Sequence, residues 1–176
     1  IGTPTCTFAS GGAAMANTVS YSTGVGTHIC TIAVADADTN GAVTFTANFA
    51  DSAGNAGTEV TAVTSGAVTI DNTHPTLSAV VEAVSGSGNG NNGDSVTLTI
   101  TPSETIQTPV CTFASGGVAM ANTVSYSTGV GTHICTVVVA DADTNGAVTF
   151  TANFEDSAGN AGTEVTAASS GAATID

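Results

Sequence analysis

The sequence predicts an all-β protein, organised as tandem two-layer β-sandwiches of about 105 residues per repeat with the first repeat incomplete. Three observations predict it. Residues 1–71 reappear as residues 106–176, offset by 105, with nine differences in 71 positions. One full period holds seven short runs of alternating apolar and polar residues, separated by turn-forming residues. The composition is rich in Val, Thr, Gly and Asn, which favour strands and tight turns, and no stretch has the Leu/Glu/Lys character of a helix.

In chain order the expected strands are 76–84, 94–101, 108–114, 122–127, 132–140, 146–155 and 162–175. The second alternates Val96, Leu98 and Ile100 with Thr97, Thr99 and Thr101. In the sixth, Val148, Phe150, Ala152 and Phe154 face one way, and Thr149, Thr151, Asn153 and Glu155 the other. That is the pattern of strands with one face buried and one wet. The Ala50/Glu155 difference between repeats falls on the outward face, where a charge costs little. Seven such strands in about 100 residues predict a sandwich of two sheets. The run Ser85–Gly93, rich in Gly, Ser and Asn, reads as a flexible hairpin loop between the first two strands.

A period near 105 residues exceeds a solenoid unit and matches an autonomous domain, so the expected arrangement is a string of beads. The domains are then 1–71, a partial repeat, and 72–176, a complete one. Residues 1–71 correspond to strands three to seven and lack the first two, so open edges and an uncovered core face are expected. A chain of this length holds one copy of strands one and two for two sets of the others. Exchange between copies therefore leaves half the sandwiches unfilled. The expectation is a window on a longer array, with sequence like Asn72–Thr105 upstream of Ile1. The absence of an initiating Met or a basic leader fits a mature or excised piece.

Charge excludes whole classes of partner. The 176 residues contain no Lys and no Arg against 14 Asp and Glu. Nucleic acid and anionic membrane surfaces both require cationic side chains, and no apolar run is long enough to span a bilayer. Side-chain salt bridges are limited to those a protonated His can make. The carboxylates must be solvated, hydrogen-bonded, or neutralised by an outside cation, and oxygen-rich surfaces without cations suit calcium.

The run Pro102-Ser103-Glu104, the segment Gly146-Ala147-Val148-Thr149-Phe150, the loop Asp156-Ser157-Ala158-Gly159-Asn160 and the closing stretch Val68–Leu77 resemble bacterial immunoglobulin-like repeats. Such repeats build the stalks of surface adhesins and other giant extracellular proteins. The resemblance covers the whole chain. It implies immunoglobulin-like sandwiches, an extracellular or cell-surface location, and calcium at domain junctions. The cysteines and the lack of any basic residue depart from many relatives, and Lys-dependent isopeptide cross-links cannot form here.

In such a fold three acidic groups are expected to meet where one repeat passes to the next. They are the turn Asp36-Ala37-Asp38-Thr39-Asn40, the linker Asp71-Asn72, and the loops carrying Glu104, Asp156 and Asn160. The arrangement resembles the calcium sites of cadherins, where a D-x-D segment and an Asp/Asn linker come together. Calcium takes six to eight oxygens, which these residues and nearby carbonyls can supply. The competing reading is that Asp and Asn serve here only as turn formers.

Each repeat carries two cysteines 24 positions apart, Cys6 and Cys30, then Cys111 and Cys135. An even number per repeat in a secreted chain favours one disulfide in each, with reduced core cysteines as the alternative. His28 and His133 lie two residues from a cysteine on one strand face. They read as strand-edge histidines, because a metal site needs further ligands and a disulfide consumes the sulfur. His74, in the linker, reads as exposed. No G-x-S-x-G nucleophile motif and no phosphate-cradling glycine loop before a helix is present, so no enzyme is expected. The expected function is a structural unit of an extracellular stalk, filament or sheath, whose partners are further repeats or copies of itself. The alternative is an adhesin module that recognises a glycan or a partner cell, for which Tyr21 and Tyr126 are the candidate aromatics.

Overall fold

Every regular element of the computed structural model is a strand; it describes residues 1–86 and 89–176, and among these there is no helix. The chain divides into two units, Ile1–Thr73 and His74–Asp176. Asn72 and Thr73, expected with the second repeat, are bonded into the first: the Asn72 amide donates to Asn40 Oδ1 at 2.7 Å, and Asn40 Nδ2 donates to Thr73 Oγ1 at 2.6 Å.

Unit 1 contains β1 (Thr5–Ser10), β2 (Ala13–Ala14), β3 (Ser20–Gly24), β4 (Thr27–Thr31), β5 (Gly41–Asn48) and β6 (Thr69–Ile70). One sheet runs β2-β1-β5-β6, and β3 pairs only with β4. Unit 2 contains β7 (Leu77–Val84), β8 (Asn89–Gly90), β9 (Ser95–Pro102), β10 (Val110–Ser115), β11 (Val118–Ala119), β12 (Ser125–Gly129), β13 (Thr132–Val138), β14 (Gly146–Asn153) and β15 (Thr174–Ile175). Its sheets run β12-β13-β9-β7 and β11-β10-β14-β15-β8. Setting the short β8 and β11 aside, this is the ABED sheet over the CFG sheet of an immunoglobulin-like sandwich.

The alternation in the sequence produces this packing. Val96, Leu98 and Ile100 of β9 are wholly buried, as are Val137 and Cys135 of β13. Facing them are Phe113 of β10 and Val148, Phe150 and Ala152 of β14. Full burial of each large aliphatic or aromatic side chain contributes roughly 1.5–3 kcal/mol, so these four strands supply most of the apolar burial that stabilises the core. The turn from β10 to β11 is Gly116-Gly117 with φ of +53° and +83°, the two left-handed residues that a tight hairpin turn requires.

The seventh strand is shorter than expected. Only Thr174–Ile175 form a ladder, although the sequence suggests a strand over 162–175. The reason is a change of partner along the segment. Val165 pairs with Ala152 of β14, whereas Ser169 and Ser170 donate to Val80 of β7 on the other sheet. A segment crossing between sheets cannot keep one continuous ladder. Of the expected loop 85–93, Ser87 and Gly88 lie outside the described residues. Asn89–Gly90 pair in parallel with β15, so the loop is not a plain hairpin turn.

Unit 1 has the counterparts of β10 to β15 but, among its described residues, no counterpart of β7 and β9. The consequence is visible residue by residue. Val139 is 1% exposed and its counterpart Val34 56%; Ala173 is 2% exposed and its counterpart Val68 62%. Phe8 and Phe45, 6.5 Å apart between ring centroids, are only half-buried, whereas Phe113 and Phe150 lie inside a closed core.

Candidate functional site

In unit 1 the acidic turn and the linker come together. Asp38 is buried, and its carboxylate joins two loops: Oδ1 accepts from the Ala16 amide at 2.7 Å and Oδ2 from the Ala35 amide at 2.8 Å. Asn72 Nδ2 donates to the carbonyls of Ala35 and Asp38, while Asp71 Oδ1 accepts from Asn40 Nδ2 and from the Thr73 amide. Asp36 lies exposed on the same turn. A carboxylate has about four acceptor positions, so these bonds fix the turn and occupy only part of the acceptor capacity of Asp38. Asp143 repeats the clamp in unit 2, accepting from Ala121 and Ala140.

In unit 2, Asp156 is 1% exposed at the head of its loop. Oδ1 accepts from the amides of Ala158 and Asn160, and Oδ2 accepts from Asn160 Nδ2. Burial works against ionisation, but these bonds outweigh it and hold the carboxyl below the ordinary range. Asp51, in the same loop of unit 1, is also held low, first by the Asn55 side chain. Glu104, half-buried after β9, places a carboxylate oxygen within 4.8 Å of one from Asp156. Two carboxylates this close, with no Lys or Arg in the chain, form an oxygen-only donor set suited to a hard cation.

The cysteines are paired within repeats, Cys6 with Cys30 and Cys111 with Cys135. The second link joins β10 to β13 and thus ties the two sheets through the core. It occupies a different strand pair from the B–F bond of antibody domains. Tyr21 and Tyr126 are partly exposed rings whose hydroxyls accept from the amides of Cys6 and Cys111. They therefore brace the strands that carry the disulfides. His28 and His133 lie on β4 and β13 with Nδ1 buried. His74 is exposed, and its Nδ1 lies 2.8 Å from the Ala161 carbonyl.

A further buried acid lies away from these loops. Glu82 of β7 is 6% exposed, and burial raises its pKa against an opposing hydrogen bond from the Ala173 amide. Its signal was present in the strand phase, since Glu82 stands between Val80 and Val84 on the inward face.

No family model matches the chain, and no curated protein matches it. Among solved structures, an I-band fragment from titin is 10% identical, with a TM-score of 0.46 over 98% of this chain and 55% of the fragment. The chain thus spans about half the length of that fragment. The titin domains Z1Z2 in complex with telethonin are 16% identical, with a TM-score of 0.33 over 98% of this chain and 81% of theirs. A titin M4 structure is 16% identical, with a TM-score of 0.33 over 58% of this chain and 94% of that one.

Proposed function

We propose that the chain is a non-enzymatic structural repeat of an extracellular stalk, filament or sheath. The observation that carries this reading is the near-identity of the two repeats, including the parts that face solvent. Among the nine differences, Ile32/Val137 and Thr64/Ser169 keep size and character, and one difference alone changes charge. A surface repeated each period serves length and lateral packing, whereas a recognition site needs only one copy. A disulfide within each repeat supports service outside the reducing cytosol.

Calcium belongs to this proposal as the cation that neutralises the loops. The candidate donors are Asp36, Asp38, Asp71 and Asn72 in unit 1, and Glu104, Asp156 and Asn160 in unit 2. The close Glu104–Asp156 pair supports it. Bound calcium would supply the positive charge that this sequence lacks. The test is thermal unfolding with millimolar calcium and then with chelator. A rise in Tm that Glu104→Gln removes supports the ion, and identical curves reject it.

For the structural role itself, electron microscopy of purified protein and a glycan array separate the readings. Ordered fibres without glycan signal support a structural unit. Isolated particles with a glycan signal dependent on Tyr21 or Tyr126 support the adhesin module instead.

A further inference from the structure

Unit 1 presents an apolar groove of about 250 Å³ lined by Phe8, Met15, Cys30, Ile32, Val34 and Val68, among others. The matching positions in unit 2 include Phe113, Cys135, Val137, Val139 and Ala173, every one of them in the buried core. What covers them there is the antiparallel pair β7–β9, through Val80, Val96, Leu98 and Ile100. Beside the groove, β4 pairs with β3 on one edge only. Its counterpart β13 uses both edges, pairing His133 with Ile100, Cys135 with Leu98 and Val137 with Val96. A nearly identical sequence is therefore closed in one unit and open in the other, and what the open unit lacks is one hairpin.

We infer that the open face of unit 1 is an acceptor site for a β-hairpin with the pattern of Leu77–Pro102, supplied by a further repeat of the same sequence type outside residues 1–176. The register follows from unit 2: the donor residues equivalent to Ile100, Leu98 and Val96 lie opposite His28, Cys30 and Ile32. The inner strand completes the ladder of β4, and its alternating Val, Leu and Ile side chains fill the groove. A polar or unpatterned strand cannot fill the groove, because every second residue must be apolar and branched. The site depends on neither calcium nor the structural role, so its failure leaves both standing.

The experiment adds a synthetic Pro75–Ser103 peptide to the full, disulfide-bonded chain and follows amide exchange by mass spectrometry. Binding at one peptide per chain, with at least tenfold slower exchange across Thr27–Ile32, is the expected result. A Leu98→Asp peptide should give no protection, and this control leaves the protein untouched. In the chain, Val34→Asp should weaken binding at least tenfold without changing exchange in β13 and β14. Three results overturn the site: no change at Thr27–Ile32, equal protection by the Leu98→Asp peptide, or protection confined to unit 2 through replacement of its own hairpin. Dimers of the chain formed without peptide, and not dissociated by it, also overturn it by showing that a second copy occupies the face.

Discussion

Cys111 and Cys135 are joined across the two sheets of unit 2, with 6.4 Å between their Cα atoms, inside a cluster of buried Val, Leu, Ile, Phe and Ala side chains. A link closing a loop with 24 residues of separation restrains the unfolded chain by about 3 kcal/mol in the chain-entropy account. Reduction, or a Cys111→Ser and Cys135→Ser double variant, should therefore lower the unfolding free energy of unit 2 by that order in a urea titration. An unchanged midpoint contradicts the bond's structural role.

Gly171 and Gly66 occupy the same position one repeat apart, with φ of +83° and +76°. A Cβ on Gly171 would collide with the carbonyl oxygen of Glu82 in β7, whereas a Cβ on Gly66 meets nothing within 4 Å. Gly66→Ala should cost about 1 kcal/mol, for the left-handed backbone alone. Gly171→Ala should cost on the order of 3 kcal/mol, because strain and overlap act together. Equal costs in chemical denaturation would show that β7 does not lie over Gly171.

Burial raises the pKa of Glu82 above its reference value of 4.5. A raised acid stabilises the fold when protonated, below the unfolded value, and that contribution is lost as pH rises through the folded value. Glu82→Gln should therefore stabilise unit 2 at neutral pH and make little difference in mild acid. Paired melts on the two sides of the carboxyl range check it, and a variant less stable at neutral pH contradicts the assignment.

Asp156 has the opposite sign. Burial opposes its ionisation, but the Asn160 side chain and the amides of Asn160, Ala158 and Gly159 hold its carboxyl below the reference value of 3.8. Its contribution is present above that value and is lost as pH falls through the lower folded one. Asp156→Asn should remove part of the acid sensitivity of unit 2 below about pH 4, measured by denaturation at stepped pH. An unaltered acid limb shows that the loop does not depend on this ionisation.

The strands with strict alternation were legible in the sequence because half-buried sheets impose a period of two. Val96–Ile100 and Val148–Phe154 show it clearly, and both are buried as read. The segment 162–175 was not legible as anything but a strand, because its break comes from tertiary partners: Val165 follows β14 while Ser169 and Ser170 follow β7. At the acidic loops, residue types announced turns and oxygen donors together. The sequence could not show that Asp38 and Asp156 are buried and bonded to backbone amides, since Ala16 lies 22 residues from Asp38. The Glu104–Asp156 approach depends on the ends of two separate strands and was readable only through the family resemblance.

Hydrogen exchange at matched amides tests most directly the claim that one sequence is closed in unit 2 and open in unit 1. In the full chain, Cys135 and Val137 should exchange at least a hundredfold more slowly than Cys30 and Ile32, because β13 is paired on both edges and β4 on one. Equal protection at these matched positions would contradict the account, by showing that the face of β4 is already covered.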